Sequence, residues 1–383
     1  TYNQMERIFM QEVIQVNVLN RDDDLDNKIY ELESLINTAG GKSQAYVSQV
    51  VDKVNPRYYI GKGKVSEIKD LAEKLSIDTV IFDVELSASQ LYNLEEELKL
   101  HVVDWTSLIL DIFALRANTK ESRLKIKLAQ LKYQLPRLNK WFSYLSRQAG
   151  GIGTRGPGET MLETDRRAVV RDIKSLESQL KDVEKTKKIN RKARANIHNI
   201  SLLGYTNAGK STILNQMMKL FGKDKYVYSD DLLFATLDTS TRRLDFANTK
   251  VTLTDTVGFI DNLSEELNDS FLTTLDEIKF ADMLLIVIDA SHNIEHQIHA
   301  IEKACEDIDV GDKEILYIFN KMDKVEDKLK VELFKRDKDR IYISARNDDD
   351  IIRLKEKIVS IIKSDYQRVK MHIPFAHGEV LDY

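Results

Sequence analysis

The chain has 383 residues, 42% apolar and 31% charged, with a formal net charge of −5, a composition that suits a sizeable core divided among two or three domains. No apolar run approaches the roughly 18 residues that span a bilayer, no basic-then-apolar leader opens the chain, and the single cysteine, Cys305, excludes an intrachain disulfide and fits a reducing, cytoplasmic setting. Charge is uneven: Arg116 to His198 holds 21 Lys and Arg against 8 Asp and Glu, the remainder 36 against 54, so a basic middle suited to a polyanion sits in an acidic chain.

Residues 8–20 (IFMQEVIQVNVLN) predict a strand. The spacing of Leu25, Ile29, Leu32 and Leu35/Ile36 predicts a helix stopped by Gly40-Gly41. AYVSQVVDKV (45–54) alternates and predicts a strand, VSEIKDLAEKL a helix, DTVIFDV a short buried strand, SASQLYNLEEELKL a helix opened by Ser87, and HVVD a strand. Strand–helix alternation predicts an N-terminal α/β domain over 1–115 with a parallel sheet. GKGK, Gly61–Lys64, lacks the spacing of a nucleotide loop and reads as a basic turn before a helix.

The period then changes. Leu124, Leu128, Leu131, Leu135, Leu138, Phe142 and Leu145 are spaced 4,3,4,3,4,3, and Leu162, Arg166, Val169, Ile173, Leu176, Leu180 and Val183 repeat the spacing. Two heptad seams across a short connection predict a long antiparallel helical hairpin over 116–195. Each arm of about 28 residues would reach roughly 40 Å, and Pro136 should kink the first. The tip, 150–159, is rich in glycine. Small residues let backbone approach a crowded RNA surface. Arg147, Gly150, Gly151, Gly153, Thr154, Arg155, Gly156 and Gly158 are therefore candidate RNA contacts, with Arg155 able to stack on a base or fork onto a phosphate.

From 196 to 365 strand–helix alternation returns, followed by a tail, 366–383, that could begin a further domain. GYTNAGKS, Gly204–Ser211, has the spacing of a phosphate loop between a strand and a helix. Gly204, Tyr205, Thr206, Asn207, Ala208, Gly209, Lys210, Ser211 and Thr212 are its candidate nucleotide contacts, with Lys210 on the β and γ phosphates and Ser211 on Mg²⁺. DTVG (Asp255, Thr256, Val257, Gly258) ends a strand 44 residues beyond Ser211. Asp255 can hold the Mg²⁺ shell from the second sphere, and the Gly258 N–H can reach the γ phosphate. Thr236, Thr239 and Thr241 are candidates for a second hydroxyl on the metal. NKMD (Asn320, Lys321, Asp323) and SAR (Ser344, Ala345, Arg346) follow later strands. A carboxylate at Asp323 can take two hydrogen bonds from guanine that adenine cannot offer, so GTP is the expected nucleotide. Phe259 stands where a glutamine would orient the attacking water, so hydrolysis should be slow without a partner.

Other features carry less. Cys305 lies in a helical pattern and reads as inert burial. His292, His296 and His299 can share one helix face, without further metal ligands.

With these motifs in place, the chain resembles the HflX family of ribosome-binding GTPases. The resemblance rests on YYIGKGKVSEI (58–68), FDVELSASQLYNLEEEL (82–98), LILDIFALRANT (108–119), LAQLKYQLPRL (128–138), GGIGTRGPGETMLETDRR (150–167), GYTNAGKST (204–212), LFATLDTSTRR (233–243) and DTVGFI (255–260). It implies that Thr236 is the metal-binding switch threonine, and that the hairpin reaches toward the peptidyl-transferase centre of the large ribosomal subunit, contacting ribosomal RNA. It also implies that stalled or idle ribosomes are split or rescued. The expected partner is the ribosome, with no DNA and no membrane, and the chain is expected to be monomeric. Trp105 departs from the family, which usually has arginine there. A specialised paralogue protecting ribosomes from antibiotics is the first alternative, and an assembly or RNA-modification GTPase the second.

Overall fold

The computed structural model describes residues 11–21, 23–148, 157–192, 197–222, 240–246, 249–256, 258, 276–291, 293–308, 310–311, 313–325 and 340–364. The first sheet contains β1 (Glu12–Leu19), β2 (Lys42–Val50), β3 (Thr79–Phe82) and β4 (His101–Val103), all parallel, in the order β2-β1-β3-β4. β1 is buried from Val13 to Leu19, as expected for a central parallel strand covered on both faces. Helices α1 (Leu25–Thr38), α2 (Lys62–Leu75), α3 (Ala88–Leu98) and α4 (Trp105–Arg116) complete the unit. Local chemistry places their starts. The Asp24 side chain accepts from the Asp26 N–H, and Ser87 and Gln90 form a reciprocal capping box.

Two differences from the sequence expectation concern this unit. β2 starts at Lys42 and ends at Val50, earlier at both ends than the alternation suggested. Helix α4 was not anticipated. Leu108, Ile109, Leu110, Ile112 and Phe113 are all buried while Leu115 is exposed, and a helix covered over most of its surface carries little amphipathic period.

The hairpin consists of α5 (Lys120–Gln148) and α6 (Pro157–Lys192), packed against each other. Lys132 Nζ lies 3.2 Å from Glu177 of the other arm. Along the expected seam Leu128 and Leu176 are buried, Leu124, Leu131 and Leu135 half-buried, and Arg166 exposed. The helix runs unbroken through Pro136, which is exposed. Pro157 opens α6, a position where the missing N–H costs no helical hydrogen bond, so Gly158 belongs to a helix and not to the tip loop. Gly150, Gly151, Gly153, Thr154, Arg155 and Gly156 lie outside the described residues, as does the tail, 366–383. Arg147 lies in the last turn of α5.

A second apolar face of α5, which the heptad count missed, carries Ile126, Ala129 and Tyr133. It joins Trp105, Leu108 and Ile112 of α4 in one core. The junction is polar at its centre. The fully buried Asp104 accepts from the Leu86 N–H (3.1 Å), the Ser107 N–H (2.9 Å) and Arg137 Nη2 (3.3 Å). The Tyr133 hydroxyl also donates to Asp104, and the Arg137 guanidinium lies 3.3 Å over the Tyr133 ring.

The second sheet has the order β10-β9-β8-β5-β7-β6. Its strands are β5 (His198–Gly204), β6 (Ser240–Phe246), β7 (Thr249–Asp255), β8 (Met283–Asp289), β9 (Glu314–Asn320) and β10 (Arg340–Tyr342), with only β6 antiparallel to its neighbour. Around it lie α7 (Lys210–Phe221), α8 (Asp276–Lys279), α9 (Ile294–Ile308) and α10 (Asp348–Ser364). One face has its own core, including Ile213, Met217, Leu253, Ile351 and Leu354. The other face, including Leu203, Ile286 and Phe319, shares a single apolar cluster with α1, α4 and α5. No helix among the described residues is long and apolar enough to cross a membrane.

Candidate nucleotide site

The motif residues meet at the C-terminal ends of β5, β7, β8 and β9, where ligands bind in open α/β sheets. The turn after β5 delivers the chain into α7 at Gly209, whose φ of +97° suits glycine, and a Cβ there would come within 2.1 Å of the Asn320 amide. Lys210 is 6% exposed and folds back onto the loop, donating from Nζ to the Gly204 carbonyl (2.9 Å) and the Tyr205 carbonyl (2.6 Å). Burial pushes its ammonium down to about 8, against the pull of Asp255. The Ser211 hydroxyl donates to Asp255 Oδ2 at 2.6 Å. These hard oxygens, side by side at the start of α7, suit Mg²⁺. Gly258 lies against the loop: a Cβ there would meet Thr206 backbone at 2.6 Å and Lys210 Nζ at 2.8 Å. Thr256 is turned away, fully buried with its hydroxyl donated to the Leu202 carbonyl at 2.6 Å, leaving only its backbone for a ligand.

The NKMD and SAR stretches close on the same loop. Asn320, 2% exposed, donates from Nδ2 to the Ala208 carbonyl (2.8 Å) and accepts from the Ala345 N–H (2.9 Å). The Ser344 hydroxyl donates to Asp323 Oδ1 at 2.6 Å, which with lesser contributions holds that carboxyl below its ordinary range. Arg346 is exposed and Ala345 buried. Asn207 (φ +62°) is exposed, while Tyr205, Thr206, Ser211 and Thr212 are half-buried. Thr236, Val257 and Phe259 lie outside the described residues.

Sequence reasoning missed Asp289. Lys321, with φ +62°, places its Nζ 2.7 Å from Asp289 Oδ2. Burial disfavours the Asp289 carboxylate, but hydrogen bonds from Lys321 and Ser291 outweigh it and hold the group below its ordinary range. Its only sequence signal is the acidic residue that ends the apolar run of β8. His296, on α9, presents its ring 6.3 Å from that of Tyr205; His299 is exposed and His292 lies outside the described residues. Cys305 is half-buried in α9, and burial pushes its thiol up to about 11, which suits an inert side chain.

Comparison with known proteins matches three family models in succession: a GTP-binding GTPase N-terminal region over 26–114, a GTP-binding GTPase middle region over 116–194, and a 50S ribosome-binding GTPase over 199–321. The GTPase HflX of Alkalihalophilus pseudofirmus is 44% identical over 369 residues, covering 95% of this chain and 85% of the relative. The GTPase HflX of Escherichia coli is 38% identical over 366 residues, covering 94% and 84%. A crystal structure of SsGBP in complex with GDP, 26% identical, matches with a TM-score of 0.52 over 93% of this chain and 99% of that one. The motif geometry and these relatives agree: the chain belongs to the HflX family of GTPases, which hydrolyse GTP with Mg²⁺.

Proposed function

We propose that this GTPase binds the large ribosomal subunit near the peptidyl-transferase centre and splits or rescues stalled or idle ribosomes. The observation that carries the reading is the shared apolar cluster. It runs from Leu203 and Ile286 in the nucleotide-binding sheet, through Trp105 and Leu108, to Ile126 and Tyr133 at the base of the basic hairpin. The phosphate loop and the hairpin thus rest on one packed body, the arrangement a nucleotide-controlled RNA probe requires. The basic arms supply sequence-independent attraction to RNA, and the tip from Gly150 to Gly156, with Arg147 and Arg155 and with Gly158 in the first turn of α6, is assigned to close contact with it.

In this reading the loop residues 204–212 cradle the phosphates with their N–H groups, and Lys210 exchanges its two carbonyl partners for phosphate oxygens. Ser211, Asp255 and Thr236 would hold Mg²⁺, which supplies neutralising charge on the phosphates when bound. Gly258 brings its N–H toward the γ phosphate. Asp323 takes the guanine N–H donors, Asn320 holds the loop and the Ser344–Arg346 stretch together, and Ala345 and Arg346 border the base. Phe259 offers the attacking water no hydrogen bond, so turnover depends on a group contributed by the partner.

Cofractionation tests the reading. The protein should sediment with large subunits in the presence of a non-hydrolysable GTP analogue and be released with GDP, and single-turnover hydrolysis should be slow until subunits are added. Cutting the tip to a four-residue turn should keep GTP binding and abolish splitting. Binding only to assembly precursors, or fast turnover by the isolated protein, would overturn it.

A further inference from the structure

Asp350 is the last of three consecutive acidic residues in the first turn of α10. Acidic residues there ordinarily cap the helix or complement its dipole. The cap is already supplied by Asn347, whose side chain accepts from the Asp349 N–H at 3.0 Å. Asp350 turns back instead to the stretch that follows β10. Its Oδ2 accepts from the Ser344 N–H at 2.7 Å, and its Oδ1 from Arg353 Nη2 at 2.6 Å. The same Arg353 nitrogen donates to the carbonyl of Tyr342, the last residue of β10, at 3.0 Å.

Ser344 is 9% exposed, and each of its polar groups is engaged. Its N–H goes to Asp350, its carbonyl accepts from the Asn347 N–H at 2.9 Å, and its hydroxyl donates to Asp323 Oδ1 at 2.6 Å. That hydroxyl aims the Asp323 carboxylate only as accurately as the Ser344 backbone is held. The next N–H along, that of Ala345, is held by Asn320 at 2.9 Å. Asp350 therefore supplies a second, independent anchor for this stretch, and a backbone N–H bonded to a carboxylate is roughly twice as strong a contact as a neutral pair. Accuracy matters here because a carboxylate that takes two parallel N–H donors must lie in their plane.

We propose that Asp350 is a positioning residue for nucleotide discrimination: it fixes Ser344, and through Ser344 it holds the Asp323 carboxylate in the orientation that accepts both guanine donors. This deepens the assignment of Asp323 to the base and rests on it.

The test measures GDP and IDP affinities of the full chain by calorimetry with Mg²⁺ present. Inosine lacks the 2-amino group, so IDP offers Asp323 one donor where GDP offers two, and the unaltered protein should prefer GDP. Asp350→Ala should weaken GDP at least about tenfold and IDP only about threefold, so the preference shrinks. General loosening of the pocket would lower both equally. Arg353→Ala breaks the ion pair but leaves the acceptor for Ser344, and should keep the preference. Should Asp350→Ala fail to fold, Asp350→Ser, one bond too short to reach the Ser344 N–H, decides by the same ratio. Asp323→Ala checks the underlying assignment and should abolish the preference. A preference that survives Asp323→Ala overturns the base assignment and this proposal with it. A preference lost there but intact in the Asp350 variant, or lost as fully in Arg353→Ala, overturns the proposal alone.

Discussion

Asn320 and Ala208, 112 residues apart in the chain, are joined by a 2.8 Å hydrogen bond from the Asn320 side-chain amide to the Ala208 carbonyl. The other end of the same amide accepts from the Ala345 N–H. One buried side chain therefore fastens the phosphate loop to the segment assigned to the base. Replacing Asn320 by Ala strands a carbonyl and an N–H, and should cost about 2 kcal/mol or more in urea unfolding. GTP affinity should fall with it, because both halves of the site loosen; unchanged stability would show that water replaces the amide.

Lys210 carries a pH prediction. Its folded pKa of about 8 lies below its ordinary value, so between the two the unfolded chain binds more protons than the folded one. Stability of the nucleotide-free protein should therefore rise with pH through that window. Phosphate oxygens restore the charged form, so GTP binding above pH 8 must take up a proton and weaken as pH rises. Calorimetry at pH 9 in buffers of different ionisation enthalpy should read uptake approaching one proton; no uptake would mean Lys210 stays charged in the free protein.

Gly258 lies against Thr206 so closely that a methyl group would overlap its backbone. Gly258→Ala should push the Asp255–Gly258 turn off the phosphate loop. Stimulated hydrolysis should drop roughly 100-fold, the scale of losing one well-placed backbone donor. GDP affinity should change little, since GDP has no γ phosphate. Equal losses for GDP and GTP would point to general damage of the loop.

The clamp at the hairpin base should show an asymmetry. Tyr133→Phe removes one of several donors to Asp104 and should cost about 1 kcal/mol. Arg137→Ala leaves the fully buried Asp104 without its cation and should cost about 3–5 kcal/mol. Denaturant unfolding distinguishes the two. GTP affinity should be unaffected in both, because neither residue lies at the phosphate loop.

Much of the site was legible before the fold was known. The phosphate loop, Asp255, Asn320 and Asp323 are recognisable because each sits at a fixed short distance from a strand end, and strand ends show as breaks in apolar runs. Ser87 was legible as the start of its helix, while its reciprocal partner Gln90 was found only in the structure. Asp289 was not legible either, since its partner Lys321 lies 32 residues on and no local pattern joins them. Thr256 was assigned to the nucleotide by its motif, yet its hydroxyl belongs to Leu202.

What the sequence determined by itself is what depends on neighbours along the chain: the turn chemistry of the loop, the helix caps, the heptad seam of Leu128 and Leu176, and the basic charge of the hairpin. What only the tertiary structure decided is where side chains without a periodic signature find their partners. Helix α4 is buried over most of its surface, α5 buries Tyr133 on a face outside the seam, and Asp83 and Trp105, 22 residues apart, line one cavity. The physical reason is that periodicity records which face of an element avoids water, whereas the identity of the covering group is set by long-range packing.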